Sequence, residues 1–138
     1  MTFLDAYALI AFLIGRPSSA IVRALLREGD AAIATANLAE ALDVAERRYG
    51  LPVPKSMEFL DPLIGGPLTA VALDMRIAVR AAELRAQHYD RTTAALSLAD
   101  VILLASTGAG DRLVTPDPTI VAIASLLGIA TVTLPSEG

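Results

Sequence analysis

The sequence predicts an α/β fold, with a parallel sheet covered by helices on both faces. Three observations predict it. Short apolar runs recur along the chain (TFL at 2–4, AAIAT at 31–35, LTAVAL at 68–73, RLVT at 112–115, ATVTL at 130–134). Runs of this kind read as strands buried on both sides. Helical patterns separate each run from the next, and no tight hairpin signal joins two of them, so successive strands run parallel.

The elements follow in order. TFL at 2–4 enters a helix over 6–14, which Gly15 and Pro17 end. Ser18 or Ser19 caps a second helix to about Glu28. Ile21, Val22, Leu25 and Leu26 share one of its faces, with Arg23 and Arg27 on the other. Gly29-Asp30 turns the chain into the strand 31–35. A helix from about Asn37 to Tyr49 is closed by Gly50 and the Pro52/Pro54 pair. Another runs from about Ser56 to Ile64 and stops at Gly65-Gly66-Pro67, ahead of the strand 68–73. The helix 74–89 is expected to turn Met75, Ala78, Val79 and Ala82 inward and Arg76, Arg80 and Arg85 outward. A loop with Thr92 and Thr93 leads to Ser97 and the helix 98–107, apolar nearly all round and therefore central. Gly108 and Gly110 close it. After the strand 112–115, Pro118 opens a last helix to Leu127, Gly128 caps it, and 130–134 is the fifth strand.

The 138 residues suit one domain, 1–138, with a single core. Apolar residues make up 54% of the chain, which excludes disorder. The absence of cysteine excludes disulfides, thiol catalysis and zinc–thiolate sites. His88 stands alone, so a histidine metal cluster or a His-based triad is unattractive. The start, Met-Thr-Phe-Leu-Asp, lacks a basic region and makes a poor signal peptide, and no run is apolar and long enough to span a bilayer. A cytoplasmic protein with no membrane role is the expectation. A net charge of −4 gives no global attraction to nucleic acid, so any such site is local.

Ligand sites in open parallel sheets form beyond the carboxyl ends of the strands. An acid stands near four such places: Asp5 after the first strand, Glu40 one helical turn beyond the second, Asp100 in the first turn of the buried helix, and Asp117 after the fourth strand. Each is the polar exception in its neighbourhood. Four carboxylates in one crevice repel each other, and hard divalent cations resolve that repulsion. Oxygen-only ligands point to magnesium or manganese. A plainer reading exists for three of them. Asp5 is placed as an N-cap, Ser97-Leu-Ala-Asp100 fits a capping box, and Asp117-Pro118 is a cap followed by proline. Glu40 lies inside a helix, where capping does not explain it. Asp43 and Glu46 read as a solvated stripe.

The blocks FLDAYALIAFL, ATANLAEAL and LSLADVILLASTGAGDRLVTPDPTI resemble the acidic blocks of PIN domains in order, spacing and strand–helix context. The length and the early first acid resemble the small VapC-type toxins of toxin–antitoxin pairs. The resemblance covers essentially the whole chain. It implies a three-layer α/β/α fold with a five-stranded parallel sheet in the order 3-2-1-4-5. It also implies a metal-dependent ribonuclease whose acidic quartet falls on Asp5, Glu40, Asp100 and Asp117. Asp5 and Asp100 are then the central ligands of Mg²⁺ (or Mn²⁺), with Glu40 and Asp117 completing the set. Two positions depart from the family pattern: Tyr7 stands where a small hydroxyl residue is common, and Asn37 where Ser or Thr is common. Thr115 keeps a usual hydroxyl.

An RNA strand approaching four acids needs nearby arginines, and Arg16, Arg47 and Arg48 are placed to serve, although each read singly is a solvated surface charge. Two rival readings stand beside the nuclease. One is aspartate-based phosphoryl transfer, as in a phosphatase or receiver, which needs a late lysine the chain lacks, since nothing after Lys55 is lysine. The other is a non-catalytic PIN-like interaction module. Leu9, Phe12, Leu13, Ile21, Leu25 and Leu26 offer more apolar surface than one core layer needs. About half should pack inside, leaving a groove for a VapB-like antitoxin and a homodimer patch.

Overall fold

A computed structural model describes residues 1–136, and residues 137 and 138 of the expected 1–138 domain lie outside the described residues. The strands are β1 (Thr2–Leu4), β2 (Ala31–Ala34), β3 (Leu68–Val71), β4 (Arg112–Thr115) and β5 (Ala130–Thr133). All pair in parallel in the order β3-β2-β1-β4-β5, as the resemblance implies. The helices are α1 (Ala6–Ile14), α2 (Ser19–Arg27), α3 (Thr35–Tyr49), α4 (Val53–Leu60), α5 (Met75–His88), α6 (Leu98–Ser106) and α7 (Pro118–Leu126). The chain builds outward from β1 to β3, then returns to the other side of β1 for β4 and β5. The strand order therefore reverses between β1 and β4, where open α/β sheets form their crevice.

Side chains alternate strictly across the sheet. Phe3, Ala32 and Leu113 join one core layer with α5, α6 and α7. Leu4, Ile33 and Val114 join the other, with residues of α1, α2 and α4. Leu4 sits between Ile33 and Val114 in register, and these three central side chains are fully buried. Burying both faces is what requires the continuous apolar runs seen in the sequence. The flanking strands are wetter, with Thr69, Ala70, Ala130 and Thr133 exposed.

Several boundaries and faces differ from expectation. Pro52 and Pro54 open α4 rather than merely closing α3. Pro52 takes the N-cap position and Pro54 lies in the first turn, where its fixed φ suits the helix and its missing N–H costs nothing. Ser18 occupies the N-cap of α2 without a side-chain capping bond, and Ser19 Oγ instead accepts from Arg23. The largest correction concerns α5. Its inward face is Ile77, Ala81 and Leu84, while Met75 and Val79 are 79% and 51% exposed and Ala78 and Ala82 are also outside. Of the six apolar residues of the first two helices, Leu9, Leu25 and Leu26 are buried, Phe12 and Leu13 are half-buried, and Ile21 is exposed. Gly15 and Gly50 end α1 and α3 in the left-handed conformation that only glycine adopts at little cost. Among the described residues, no single helix is long and apolar enough to cross a membrane.

Candidate active site

Asp5 is placed by the two central strands. β1 ends at Leu4, and the Asp5 N–H continues the ladder to the Val114 carbonyl at 3.1 Å. The carboxylate then turns back to cap α1, with Oδ1 accepting from the Ala8 N–H at 2.8 Å. The Thr115 hydroxyl beside it also favours its charged form. Thr115 is fully buried, and its Oγ1 accepts from the Asp117 N–H at 3.1 Å, so one hydroxyl ties the first acid to the last. Asp5 is 6% exposed. Burial pushes its carboxyl up to about 7. The Thr115 hydroxyl and the Ala8 bond pull the other way, and the charges of Asp100 and Glu40 push further up.

The remaining acids arrive from three helices. Glu40 lies on α3, more open to solvent, and its carboxyl is held above the ordinary range by partial burial, then by the charges of Asp100 and Asp43. Asp100 sits in the first turn of α6 in a complete capping box. Its Oδ2 accepts from the Ser97 N–H at 2.9 Å, and its own N–H reaches Ser97 Oγ at 3.1 Å. Asp117 caps α7, with Oδ1 accepting from the Thr119 N–H at 2.8 Å. The capping reading of Asp5, Asp100 and Asp117 is thus realised. It does not compete with a second role, because each of these caps occupies one of a carboxylate's two oxygens.

One pocket of about 230 Å³ at the carboxyl ends of the central strands is lined by Asp5, Glu40, Asp100 and Asp117 together, with Tyr7 and Asn37. No Lys or Arg among the described residues lines it. Asn37 is 2% exposed, and its Nδ2 donates to the Ala99 carbonyl at 3.3 Å. Its Oδ1 is buried without a hydrogen-bond partner. Buried acceptors without a partner are rare, and this one lies at the wall of an acidic hollow. An all-oxygen donor set, mutually repelling charges and an orphan amide oxygen together fit a hard divalent cation. The caps hold three of the carboxylates toward their own helices. Among the described residues, no three His, Cys, Asp or Glu side chains stand close enough to share one ion.

Sequence reasoning located the four acids but gave Asn37 only as a departure from a pattern. Its burial, not its identity, makes it notable. The Tyr7 hydroxyl donates to the Pro135 carbonyl at 3.4 Å, past the end of β5, while the residue lines the pocket. Lys55 pairs with Glu58 on α4 and lies outside the pocket.

The PIN domain family model matches residues 2–134. No curated protein sequence matches the chain. Among the solved structures that share its fold are the following three. A chain of the DNA-bound VapBC from Salmonella typhimurium superposes with a TM-score of 0.69 at 20% identity, covering 96% of each chain. A chain of a toxin–antitoxin complex from Klebsiella pneumoniae does so at 0.67 and 22%, over the full length of both. A chain of FitAcB from Neisseria gonorrhoeae does so at 0.62 and 22%, covering 95% of this chain and 96% of that one. With a family match over nearly its whole length, and an acidic pocket where the strand order of its parallel sheet reverses, the chain belongs to the PIN domain family.

Proposed function

We propose that this protein is a metal-dependent ribonuclease that hydrolyses RNA phosphodiester bonds and acts in the cytoplasm as the toxin of a toxin–antitoxin pair. The observation that carries the reading is the convergence of Asp5, Glu40, Asp100, Asp117 and the orphan Asn37 oxygen on one pocket without a balancing cation side chain. Asp5 and Asp100 would be the central ligands, with Glu40, Asp117 and Asn37 completing the oxygen set partly through water, which magnesium tends to keep and which the spacing of the acids requires, and 1–138 functions as one PIN domain. Bound Mg²⁺ or Mn²⁺ supplies Lewis acidity toward the phosphate and a more acidic water. Thr115 orients Asp5 through its hydroxyl and fixes the start of α7 through the Asp117 N–H. Asp100 and Asp117, fastened to their helix starts by caps, bring their free edges to the pocket with little side-chain freedom left to lose. The phosphoaspartate alternative loses ground because the single lysine is engaged elsewhere, with Glu58.

The toxin assignment draws on the complexes that share the fold, the VapBC of Salmonella typhimurium and the toxin–antitoxin complex of Klebsiella pneumoniae. A VapB-like antitoxin is the proposed partner. Its apolar segment would lie over Phe12, Leu13 and Ile21, which the core leaves partly or largely open, and the same surface region serves a homodimer.

The test is cleavage of total RNA by the purified chain in Mg²⁺, in EDTA, and in EDTA with Mn²⁺ restored, beside Asp100→Asn purified identically. Cleavage should require the metal and vanish in the variant. Cleavage that resists EDTA, or that the variant retains in full, overturns the proposal. Metal binding without any cleavage would favour the non-catalytic module.

A further inference from the structure

A second hollow, of about 430 Å³, opens beside the acidic pocket and shares Ala6, Tyr7 and Glu40 with it. It runs between α1 and α3, and its far end is lined by Arg16, Arg48 and Tyr49. The two guanidiniums lie 5.2 and 6.0 Å from the centre of the Tyr49 ring, and Arg16 Nη2 also donates to the Tyr49 hydroxyl. Tyr49 is nonetheless 40% exposed. Arg47, the residue before Arg48 on α3, behaves differently. It pairs with Asp43 at 3.2 Å and lines another hollow. Arg48 makes no ion pair among the described residues. The helix therefore sends one arginine to an intrahelical partner and presents the other, with an aromatic ring, to a groove that leads into the four acids.

Guanidinium groups beside an open aromatic ring are the chemistry that holds single-stranded nucleic acid, the cations taking phosphates and the ring stacking a base. An acidic peptide would satisfy the arginines but offers no flat face to Tyr49. We infer that the α1–α3 groove seats the single-stranded RNA nucleotide next to the scissile phosphate, with Arg48 and Arg16 on its phosphate and Tyr49 on its base. The inference rests on the ribonuclease reading and adds to it where the substrate lies and which residues grip it.

The experiment is fluorescence anisotropy with a labelled single-stranded RNA 12-mer of mixed sequence in EDTA, across a salt series. The variants are Arg48→Ala, Tyr49→Leu and Arg47→Ala, all at exposed positions where folding tolerates change. Circular dichroism melts check that each variant is folded. Arg48→Ala should weaken binding about fivefold and flatten the log–log salt slope by about 0.7, the loss of one phosphate contact on a single strand. Tyr49→Leu should weaken binding at least about fivefold, the lower end for a stacked base. Arg47→Ala removes the same charge from the other face and should change binding less than twofold. With Mg²⁺, Arg48→Ala should raise KM and leave kcat within twofold.

Equal losses in the Arg47 and Arg48 variants, or unaltered binding in both the Arg48 and Tyr49 variants, overturn the inference. So does a loss confined to an acidic probe, polyglutamate, with RNA binding intact. Failure of the nuclease reading is distinguishable: RNA binding would still depend on Arg48 and Tyr49 while no metal restored cleavage.

Discussion

Asp5→Asn separates charge from geometry at the most buried acid of the site. Asn keeps an oxygen for the Ala8 N–H and cannot ionise. In the folded protein the Asp5 carboxyl lies at about 7 against an ordinary 3.8. At about 1.4 kcal/mol per pH unit, keeping it charged costs about 4 kcal/mol. The sign follows from proton counting. Between pH 3.8 and 7 the folded state holds this proton more tightly than the unfolded chain, so stability falls as pH rises through that window and stays lowered above it. The variant escapes the loss but presents an amide to Thr115, whose hydroxyl already accepts from the Asp117 N–H, at a cost of about 1–2 kcal/mol. The net expectation in EDTA at pH 8 is a gain of about 2–3 kcal/mol, or about 10 °C in Tm for a chain of this length. At pH 5 the advantage should shrink by more than half. Glu40 titrates with the same sign in both proteins. The carboxyls of Asp90 and Asp111, held low by their hydrogen bonds, give stability that is lost only as pH falls below the window. Circular dichroism melts of both proteins in EDTA at pH 5 and pH 8 give the answer. A Tm difference that does not change with pH would refute the claim that burial of charge at Asp5 is what the fold tolerates.

Three further outcomes follow from the same geometry. If the acids hold a divalent ion, Mg²⁺ at 100 times its Kd should raise stability by about 2.7 kcal/mol in the native protein and far less in Asp5→Asn, read from melts with and without metal. Thr115→Val should cost about 1–3 kcal/mol in urea unfolding, because it strips a partner from both Asp5 and the Asp117 N–H. It should also carry the pH-dependent loss of stability to higher pH. Ser97→Ala should lose about 1 kcal/mol with cleavage intact, whereas Asp100→Asn should stay within about 1 kcal/mol of native stability and lose cleavage, since only the latter removes pocket charge.

The strands and the four acids were open to reading because each depends on short-range signals, whereas the strand order followed only from the family resemblance. The apolar runs mark strands buried on both faces; Asp5 directly follows one of them and Asp117 stands two residues beyond another. The inward face of α5 was not open in the same way. Met75-Val79-Ala82 and Ile77-Ala81-Leu84 are two apolar stripes of similar strength on one helix, and the sheet and α6 decide between them. Pro52 and Pro54 were ambiguous because proline ends one helix and begins another by the same property. The orphan oxygen of Asn37 depends on the depth at which α3 leaves β2, and the opposite roles of Arg47 and Arg48 depend on whether Asp43 captures a neighbour. Neither is a property of local sequence.

The caps at Asp5, Asp100 and Asp117 carry a consequence for control. The acids that furnish the pocket also begin α1, α6 and α7, and α1 and α7 each start at the end of a buried strand. Withdrawing one of them frays a helix, so the folded chain has no inexpensive posture in which its pocket is taken apart. A nuclease built this way has no rest position of its own. Its silence would have to be imposed from outside, by an occupant of the groove and pocket, and its release would depend on how quickly that occupant is destroyed and replaced.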